Sequence, residues 1–259
     1  MTLLLISLAI SYISLFVLSV YLKDNSIADI FWGLWFVLIS WISYLLSDGN
    51  TVQFLLTLLV WAWGIRLTVH IWSKKFLHTW EDARYARWRE SWKYFYIRSF
   101  FQVFLLQWVL MLCIAFPLYA HIFFNPEIYI SKILLLWGYI ALFWLIYETV
   151  ADIELKQFVK TKKPWEILTW GLRKFHRYPQ YFWESLFWFG ISIVTLAYTP
   201  LVFISWGIIT VLLLKVSGVP LQEARYKDNQ SYQDYANSTP VFFPDWSRVL
   251  NCRGGKCRK

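Results

Sequence analysis

The chain has 259 residues and a mass of 31.1 kDa; 58% of its residues are hydrophobic and only 16% are charged. A soluble domain usually carries about 25% charged residues, so this composition excludes a disordered protein and an ordinary cytosolic enzyme. Three cysteines and four histidines are too few for a disulfide framework, and their spacing matches no zinc motif. The sequence therefore predicts an integral membrane protein of the all-α class.

Seven apolar segments are candidates for spanning helices, which need roughly 20 residues each. They are Thr2–Leu22, Ile27–Leu46, Val52–Trp72, Phe100–Phe123, Ile133–Ala151, Phe182–Tyr198 and Leu201–Val216. The last two are short and separated only by Thr199-Pro200, which predicts a tight helical hairpin. We expect residues 1–250 to form one seven-helix membrane domain with cytoplasmic loops, and residues 251–259 to form a basic cytoplasmic tail.

Lysine and arginine are concentrated in alternate loops. Ser73–Ser99 and Asp152–Tyr181 carry seven each, and the chain from Lys215 onward carries eight, whereas the intervening loops carry one, Lys132. Cytoplasmic loops of membrane proteins have such an excess, so we expect the N-terminus outside and the C-terminus in the cytoplasm. A basic surface of this kind also attracts an anionic cofactor or lipid headgroups.

Six ionisable side chains lie inside or at the edge of the predicted spans, where a charge is costly. They are Asp29, Arg66, His70, Glu148, Asp152 and Glu184. In the predicted topology all six lie in the cytoplasmic third of the bilayer, and both Arg66/His70 and Glu148/Asp152 are four residues apart, on one helix face. This pattern predicts a polar chamber open to the cytoplasm, which a lipid-like molecule enters from the bilayer. The alternative is an Asp29–Arg66 pair that holds the bundle, with the other side chains reaching the interface.

The stretch from Gly171 to Glu184 mixes Arg, Lys, His, Tyr and an amide just before the sixth predicted span. Arginine and lysine bind phosphates, and aromatic faces stack on bases, so the stretch suits a cofactor-binding loop. An amphipathic loop at the membrane interface is the alternative.

Several short motifs follow one another between Asp29 and Pro244. They are Asp29-Ile-Phe-Trp-Gly33, Trp63-Gly-Ile-Arg-Leu67, Glu81-Asp-Ala-Arg-Tyr85, Gln107, Glu148-Thr-Val-Ala-Asp152, Gly171 to Glu184, Ser217-Gly-Val-Pro-Leu-Gln-Glu223 and Tyr232-Gln-Asp-Tyr235, with Thr239, Phe242 and Pro244. In this order they resemble the steroid 5-alpha-reductase-like membrane family, most closely its uncharacterised, mainly bacterial branch. The resemblance implies a membrane reductase that binds NADPH in its cytoplasmic half and transfers hydride to an activated carbon–carbon double bond.

The resemblance also implies site residues. The family's Arg-His-Pro-Asn-Tyr loop reads Arg177-Tyr-Pro-Gln-Tyr181 here, which keeps aromatic and amide character. The candidate cofactor-binding residues are Glu148, Asp152, Lys156, Arg173, Arg177, Gln180, Tyr181, Glu184, Glu223, Arg225 and Tyr235. The family's substrate-polarising Glu and Tyr have no residue-by-residue match, so Asp29, Arg66 and His70 are positional candidates for catalysis.

Two other functions remain open. Isoprenylcysteine methyltransferases share the Arg-x-Pro-x-Tyr-x-x-Glu pattern and bind S-adenosylmethionine, although the basic loops favour the more negatively charged NADPH. A non-enzymatic lipid-binding protein is the third possibility. We expect a multi-pass protein of a bacterial inner membrane or the endoplasmic reticulum, with its site facing the cytoplasm. Its partners would be a lipid-like substrate and membrane lipids, with no metal and no nucleic acid, and the sequence leaves its oligomeric state open.

Overall fold

The computed structural model describes residues 2–47, 49–76, 81–124, 132–163 and 166–245, and these residues form helices and no strand. The helices are α1 (Thr2–Leu22), α2 (Ile27–Leu45), α3 (Thr51–Phe76), α4 (Ala83–Ser91), α5 (Phe95–Ser99), α6 (Leu106–Tyr119), α7 (His121–Phe124), α8 (Lys132–Thr161), α9 (Pro179–Val194), α10 (Phe203–Val211), α11 (Val219–Ala224) and α12 (Gln230–Ser238). A π-helical segment, Phe100–Leu105, joins α5 to α6, and a second, Leu212–Val216, follows α10. The predicted tail 251–259 lies outside the described residues.

Six described helical stretches are long and apolar enough to cross a membrane, which confirms the all-α, multi-pass prediction. They are Thr2–Leu22, Ile27–Leu45, Thr51–Lys75, Phe95–Tyr119, Leu135–Thr161 and Pro200–Ala224. The predicted span Phe182–Tyr198 corresponds to α9, whose 16 residues fall short of the roughly 20 that a vertical span needs. At about 1.5 Å per residue, the 30 residues of α8 exceed the thickness of the hydrocarbon core, so this helix continues beyond it.

The described chain forms two compact units, and three helices contribute residues to both. The first unit comprises residues 1–138 and 191–205, and the second comprises residues 139–190 and 206–259. The boundaries fall inside α8, α9 and α10.

In the first unit, α2 and α3 meet backbone to backbone at Gly33 and Gly64. A Cβ atom on Gly64 would lie 2.7 Å from the carbonyl oxygen of Gly33, and a Cβ atom on Gly33 would collide with the carbonyl of Gly64. Beside this contact the rings of Phe36 and Trp63 pack edge to face, with centroids 5.2 Å apart. Because lipid tails supply no hydrophobic force between helices, such close approach of small residues is what holds membrane helices together. The two sequence motifs that contain these glycines therefore meet in the fold.

Helix α9 and the chain after Pro200 run antiparallel, which confirms the predicted hairpin. Near the turn, in the first unit, Ser192 Oγ donates to the carbonyl of Val202 at 3.0 Å. Further from the turn, in the second unit, Ser185 Oγ bonds Thr210 Oγ1 at 2.7 Å. The partner numbers move in opposite directions along the two segments, as an antiparallel pair requires.

In the second unit, large aromatic side chains pack α8 against α9. The rings of Trp144 and Phe187 are stacked with centroids 4.8 Å apart, and Trp183 packs against Tyr147 at the same centroid distance. Trp144 and Phe187 are both buried. This packing fixes the start of α9, and with it the loop that precedes the helix.

We expect Gly64→Ala to lower the melting temperature of the detergent-solubilised protein, because the new methyl group would press on the α2 backbone. Overpacking of this kind typically costs about 1–3 kcal/mol. Gly207→Ala is the matched control, since a Cβ atom there meets nothing within 4 Å and alanine favours a helix by up to about 1 kcal/mol. Equal melting temperatures for the two variants would contradict the close contact.

Candidate functional site

A polar cluster in the second unit is centred on Arg177. Its Nη1 donates to Glu223 Oε1 at 2.6 Å and to Tyr232 Oη at 3.4 Å. The hydroxyls of Tyr178 and Tyr232 are 2.6 Å apart, and the Arg177 side chain is only 11% exposed. Burial, reinforced by the Tyr232 hydroxyl, raises the pKa of Tyr178 above its ordinary value, so it remains a neutral phenol. These four residues, the Arg177 cluster, tie the loop before α9 to α11 and α12.

A second arginine from the same loop lies beside this cluster. Arg173 Nη1 donates to the carbonyl of Arg177 at 2.9 Å, and Tyr235 Oη donates to the carbonyl of Arg173 at 2.6 Å. The Nε atoms of both arginines are buried and bond no side chain or backbone group in the described part of the chain. A guanidinium carries five N–H donors and commonly binds phosphate or carboxylate in pairs of hydrogen bonds. Both arginines therefore retain donors for an anionic group.

Helix α8 fixes the start of this loop through a residue that the sequence reasoning missed, Glu154. Its Oε2 accepts the backbone N–H of Leu172 at 3.0 Å. Gly171 has a φ of +64°, and a Cβ atom there would collide with the Glu154 carboxylate. Only glycine adopts that backbone conformation easily and leaves space for the carboxylate. Gly171 at the start of a polar loop was the available sequence signal. Residue spacing could not show that its partner is Glu154, two residues after Asp152.

The segment Thr239–Asp245 is held against the loop by backbone hydrogen bonds. Arg177 N donates to the carbonyl of Pro240 at 2.9 Å, and Asp245 N donates to the carbonyl of Phe175 at 3.0 Å. The C-terminal positions that carried the family resemblance, Thr239, Phe242 and Pro244, all lie in this segment. They therefore contribute to the structure of the loop.

His176, fully buried, makes the third connection between the two segments. Its Nδ1 lies 2.7 Å from the carbonyl oxygen of Phe242. A carbonyl oxygen can only accept, so Nδ1 carries the hydrogen in the neutral ring. Nε2 then faces the hydroxyl of Tyr147 at 3.4 Å. Burial lowers the pKa of His176 below its usual value, and the nearby Arg173 lowers it further against the opposing effect of the Phe242 carbonyl.

The remaining predicted cofactor residues also belong to the second unit, with different exposures. Glu148 is buried at 3% exposed, and Asp152 and Glu184 are partly buried. Gln180 and Tyr181, in the first turn of α9, are partly buried as well, whereas the side chains of Lys156 and Arg225 are exposed. No group of three or more His, Cys, Asp or Glu residues in the described ranges is placed to hold a metal ion.

The three predicted catalytic residues belong to the first unit, and one of them has partners that differ from the expectation. Asp29 accepts from Arg84 Nη2 at 2.7 Å and from Tyr85 Oη at 2.9 Å. The alternative of an Asp29–Arg66 pair is therefore wrong, because Arg84 and Tyr85 supply both described hydrogen bonds to this carboxylate. Arg66 and His70 lie on α3 and are partly buried.

Tyr85 is the second residue that the sequence reasoning did not assign to a site. Besides donating to Asp29, its hydroxyl lies 3.5 Å from Gln107 Nε2. Its ring is buried, and this burial raises its pKa well above the ordinary value, with a further increase from the Asp29 carboxylate. Tyr85 and Gln107 both belong to motifs that carried the family resemblance, which was the available signal. Their meeting at Asp29 depends on the folding of α4 against α2 and α6.

Comparison with known proteins identifies one family. The sequence profile described as "Protein of unknown function (DUF1295)" matches residues 15–239. No curated protein and no solved structure matches the chain significantly.

We expect acid to loosen the Thr239–Asp245 segment. The folded state lowers the pKa of His176 below 6.5, so the stability that its neutral form contributes is complete above about 6.5. That stability is lost as the pH falls through the folded-state pKa. Hydrogen exchange at the Arg177 and Asp245 amides should accelerate as the pH falls below about 6.5, after correction for intrinsic rates, and should show no such acceleration above that pH.

His176→Gln provides the control for this effect, because glutamine can donate to Phe242 but does not titrate in this range. The pH dependence of exchange in this segment should become smaller in the variant. An unchanged pH dependence would assign the acid sensitivity to another group.

Proposed function

The chain belongs to the DUF1295 family, a steroid 5-alpha-reductase-like family, and on this premise we propose that it is an NADPH-dependent membrane reductase. Its substrate is a steroid, isoprenoid or fatty molecule with a carbon–carbon double bond conjugated to a carbonyl. It has seven transmembrane helices, of which α9 is the short one, with the N-terminus outside and the C-terminus in the cytoplasm. The cofactor site faces the cytoplasm of a bacterial cell or of the endoplasmic reticulum.

The observation that carries the proposal is the pair of arginines before α9. The described contacts of Arg173 and Arg177 each use only Nη1, and the buried Nε atom of each has no described partner. An unpaired buried donor costs about 1–3 kcal/mol, and the phosphates of NADPH would offset that cost. Glu223 acts in this proposal as a positioning residue, since its carboxylate is bonded to Arg177 at 2.6 Å.

Other residues of the second unit complete the proposed cofactor site. Asp152 and Glu184 are carboxylates and repel phosphate, so they bind ribose hydroxyls or amide groups. Gln180 and Tyr181 supply an amide and an aromatic face at the start of α9. The remaining members of the site are Glu148, Lys156, Arg225 and Tyr235.

The chemistry also needs a donor to polarise the substrate carbonyl. NADPH supplies a hydride for the β-carbon of the double bond, and the charge that develops on the carbonyl oxygen must be stabilised. Our candidates for that donor are Tyr85, Arg66 and His70. The Tyr85 hydroxyl is held in position by its hydrogen bond to Asp29.

We expect NADPH to raise the melting temperature of the purified protein and S-adenosylmethionine to have little effect, since a ligand that binds only the folded state stabilises it. Arg173→Gln should weaken NADPH binding on the order of 10- to 100-fold, because charge-assisted hydrogen bonds are worth about 1.5–3 kcal/mol. Asp152→Asn should weaken it over the same range.

Lys160→Gln is the matched control for these variants, because Lys160 is exposed and outside the proposed site. Stabilisation by S-adenosylmethionine alone would replace the reductase with a methyltransferase. Stabilisation by neither ligand would favour a non-enzymatic lipid-binding protein. If Asp152→Asn lowers the melting temperature without changing NADPH affinity, Asp152 is a structural residue.

The proposed orientation predicts the sidedness of two exposed lysines. In a protein whose three cysteines are changed to serine, Lys132→Cys should react with a membrane-impermeant thiol reagent added from outside. Lys160→Cys should react only after the membrane is opened, because 22 of the 25 Lys and Arg residues lie in Ser73–Ser99, Asp152–Tyr181 and the chain from Lys215 onward, which are predicted to be cytoplasmic. The reverse pattern would invert the topology.

A further inference from the structure

The segment Ala83–Ser99, which comprises α4, the following turn and α5, presents basic and aromatic side chains on its exposed surface. Tyr94 is 61% exposed and Tyr96 is 49% exposed. Arg87, Lys93 and Arg98 are exposed on the same segment. Large exposed aromatic groups beside cations are typical of a surface at the boundary between membrane and water.

Two other cations of α4 form ion pairs within the first unit. Arg84 bonds Asp29 at 2.7 Å, and Arg89 bonds Glu81 at 2.8 Å. Glu81 in turn accepts the backbone N–H of Asn25 at 2.9 Å, in the turn between α1 and α2. These two ion pairs therefore fix the position of the segment on the first unit.

The exposed cations of the segment have no carboxylate partners of this kind among the described residues. Arg87, Lys93 and Arg98 form no ion pair with any residue in the described part of the chain. Glu90 is the one exposed carboxylate between Ala83 and Ser99, so three cations face one anion on this surface. The segment thus carries a net positive charge that the described protein does not neutralise.

The sequence position of the segment places it at a membrane surface. It follows the span Thr51–Lys75, and its last residues begin the span Phe95–Tyr119. Trp88 and Trp92 stack with ring centroids 5.0 Å apart, and Trp88 is 36% exposed. Tryptophan and tyrosine favour the headgroup region because one part of the ring is apolar and another is polar.

We propose that Ala83–Ser99 is a binding surface for the headgroups of anionic phospholipids in the membrane that the protein spans. Arg87, Lys93 and Arg98 contact the lipid phosphates, and the exposed aromatic rings lie among the neighbouring headgroups. Juxtamembrane cations are attracted to anionic lipid, and each contributes about fivefold in affinity. The inference is independent of the proposed reductase activity, since Arg87, Lys93 and Arg98 do not belong to the proposed reductase site.

The test compares lipid binding by two triple variants in neutral detergent. One variant combines Arg87→Gln, Lys93→Gln and Arg98→Gln, and the other combines Lys160→Gln, Lys162→Gln and Lys163→Gln. Both remove three exposed positive charges. Native mass spectrometry with added phosphatidylglycerol or phosphatidylcholine measures the lipid retained by each protein. The first variant should lose affinity for phosphatidylglycerol by about fivefold for each cation removed, and the second should behave like the unchanged protein.

Three results would overturn the proposal. Equal losses in both variants would show a diffuse charge effect, and equal retention of the two lipids by the unchanged protein would show no preference for anionic headgroups. Stabilisation by inorganic phosphate equal to that by phosphatidylglycerol would indicate a site for free anions. The melting temperature in phosphatidylcholine should be the same for all three proteins, which shows that the first variant is folded.

Discussion

A hydrocarbon bilayer offers the backbone no hydrogen-bonding partner, and this constraint shapes the whole described chain. Its consequence is a set of helices that each satisfy their own backbone. Some of the polar groups that remain buried are paired with one another, as Asp29 is with Arg84 and Tyr85. Since lipid does not drive helices together, close contacts such as that between Gly33 and Gly64 supply the packing.

The protein uses its arginines in three different ways. Arg84 and Arg89 are paired with carboxylates and hold α4 against the first unit. Arg177 is paired with Glu223 through one nitrogen, while its buried Nε lacks a described partner, as does that of Arg173. Arg87 and Arg98 are exposed on the Ala83–Ser99 surface. Structural, cofactor-binding and lipid-binding roles correspond to these three environments, the last two being our proposals.

The loop before α9 shows how a proposed functional segment is supported from several directions. Glu154 on α8 bonds its beginning, and the backbone of Thr239–Asp245 bonds its middle. The Arg177 cluster attaches it to α11 and α12. A loop with so many attachments is preorganised, and preorganisation reduces the entropy lost when a ligand binds.

The sequence by itself determined the helical, multi-pass architecture, because apolar segments of spanning length and the short turn at Thr199-Pro200 are local features of the chain. It also identified the motifs of the family, and it singled out Arg173 and Arg177 from their position before a span. It missed Glu154 and Tyr85 as site residues, and it offered an incorrect partner for Asp29. Glu154 is 18 residues away from its partner Leu172, and Tyr85 is 56 residues away from its partner Asp29. Residue spacing on one helix carries no information about contacts over such separations. The tertiary structure decided these contacts, because the partner that a polar side chain reaches depends on which helix ends pack together.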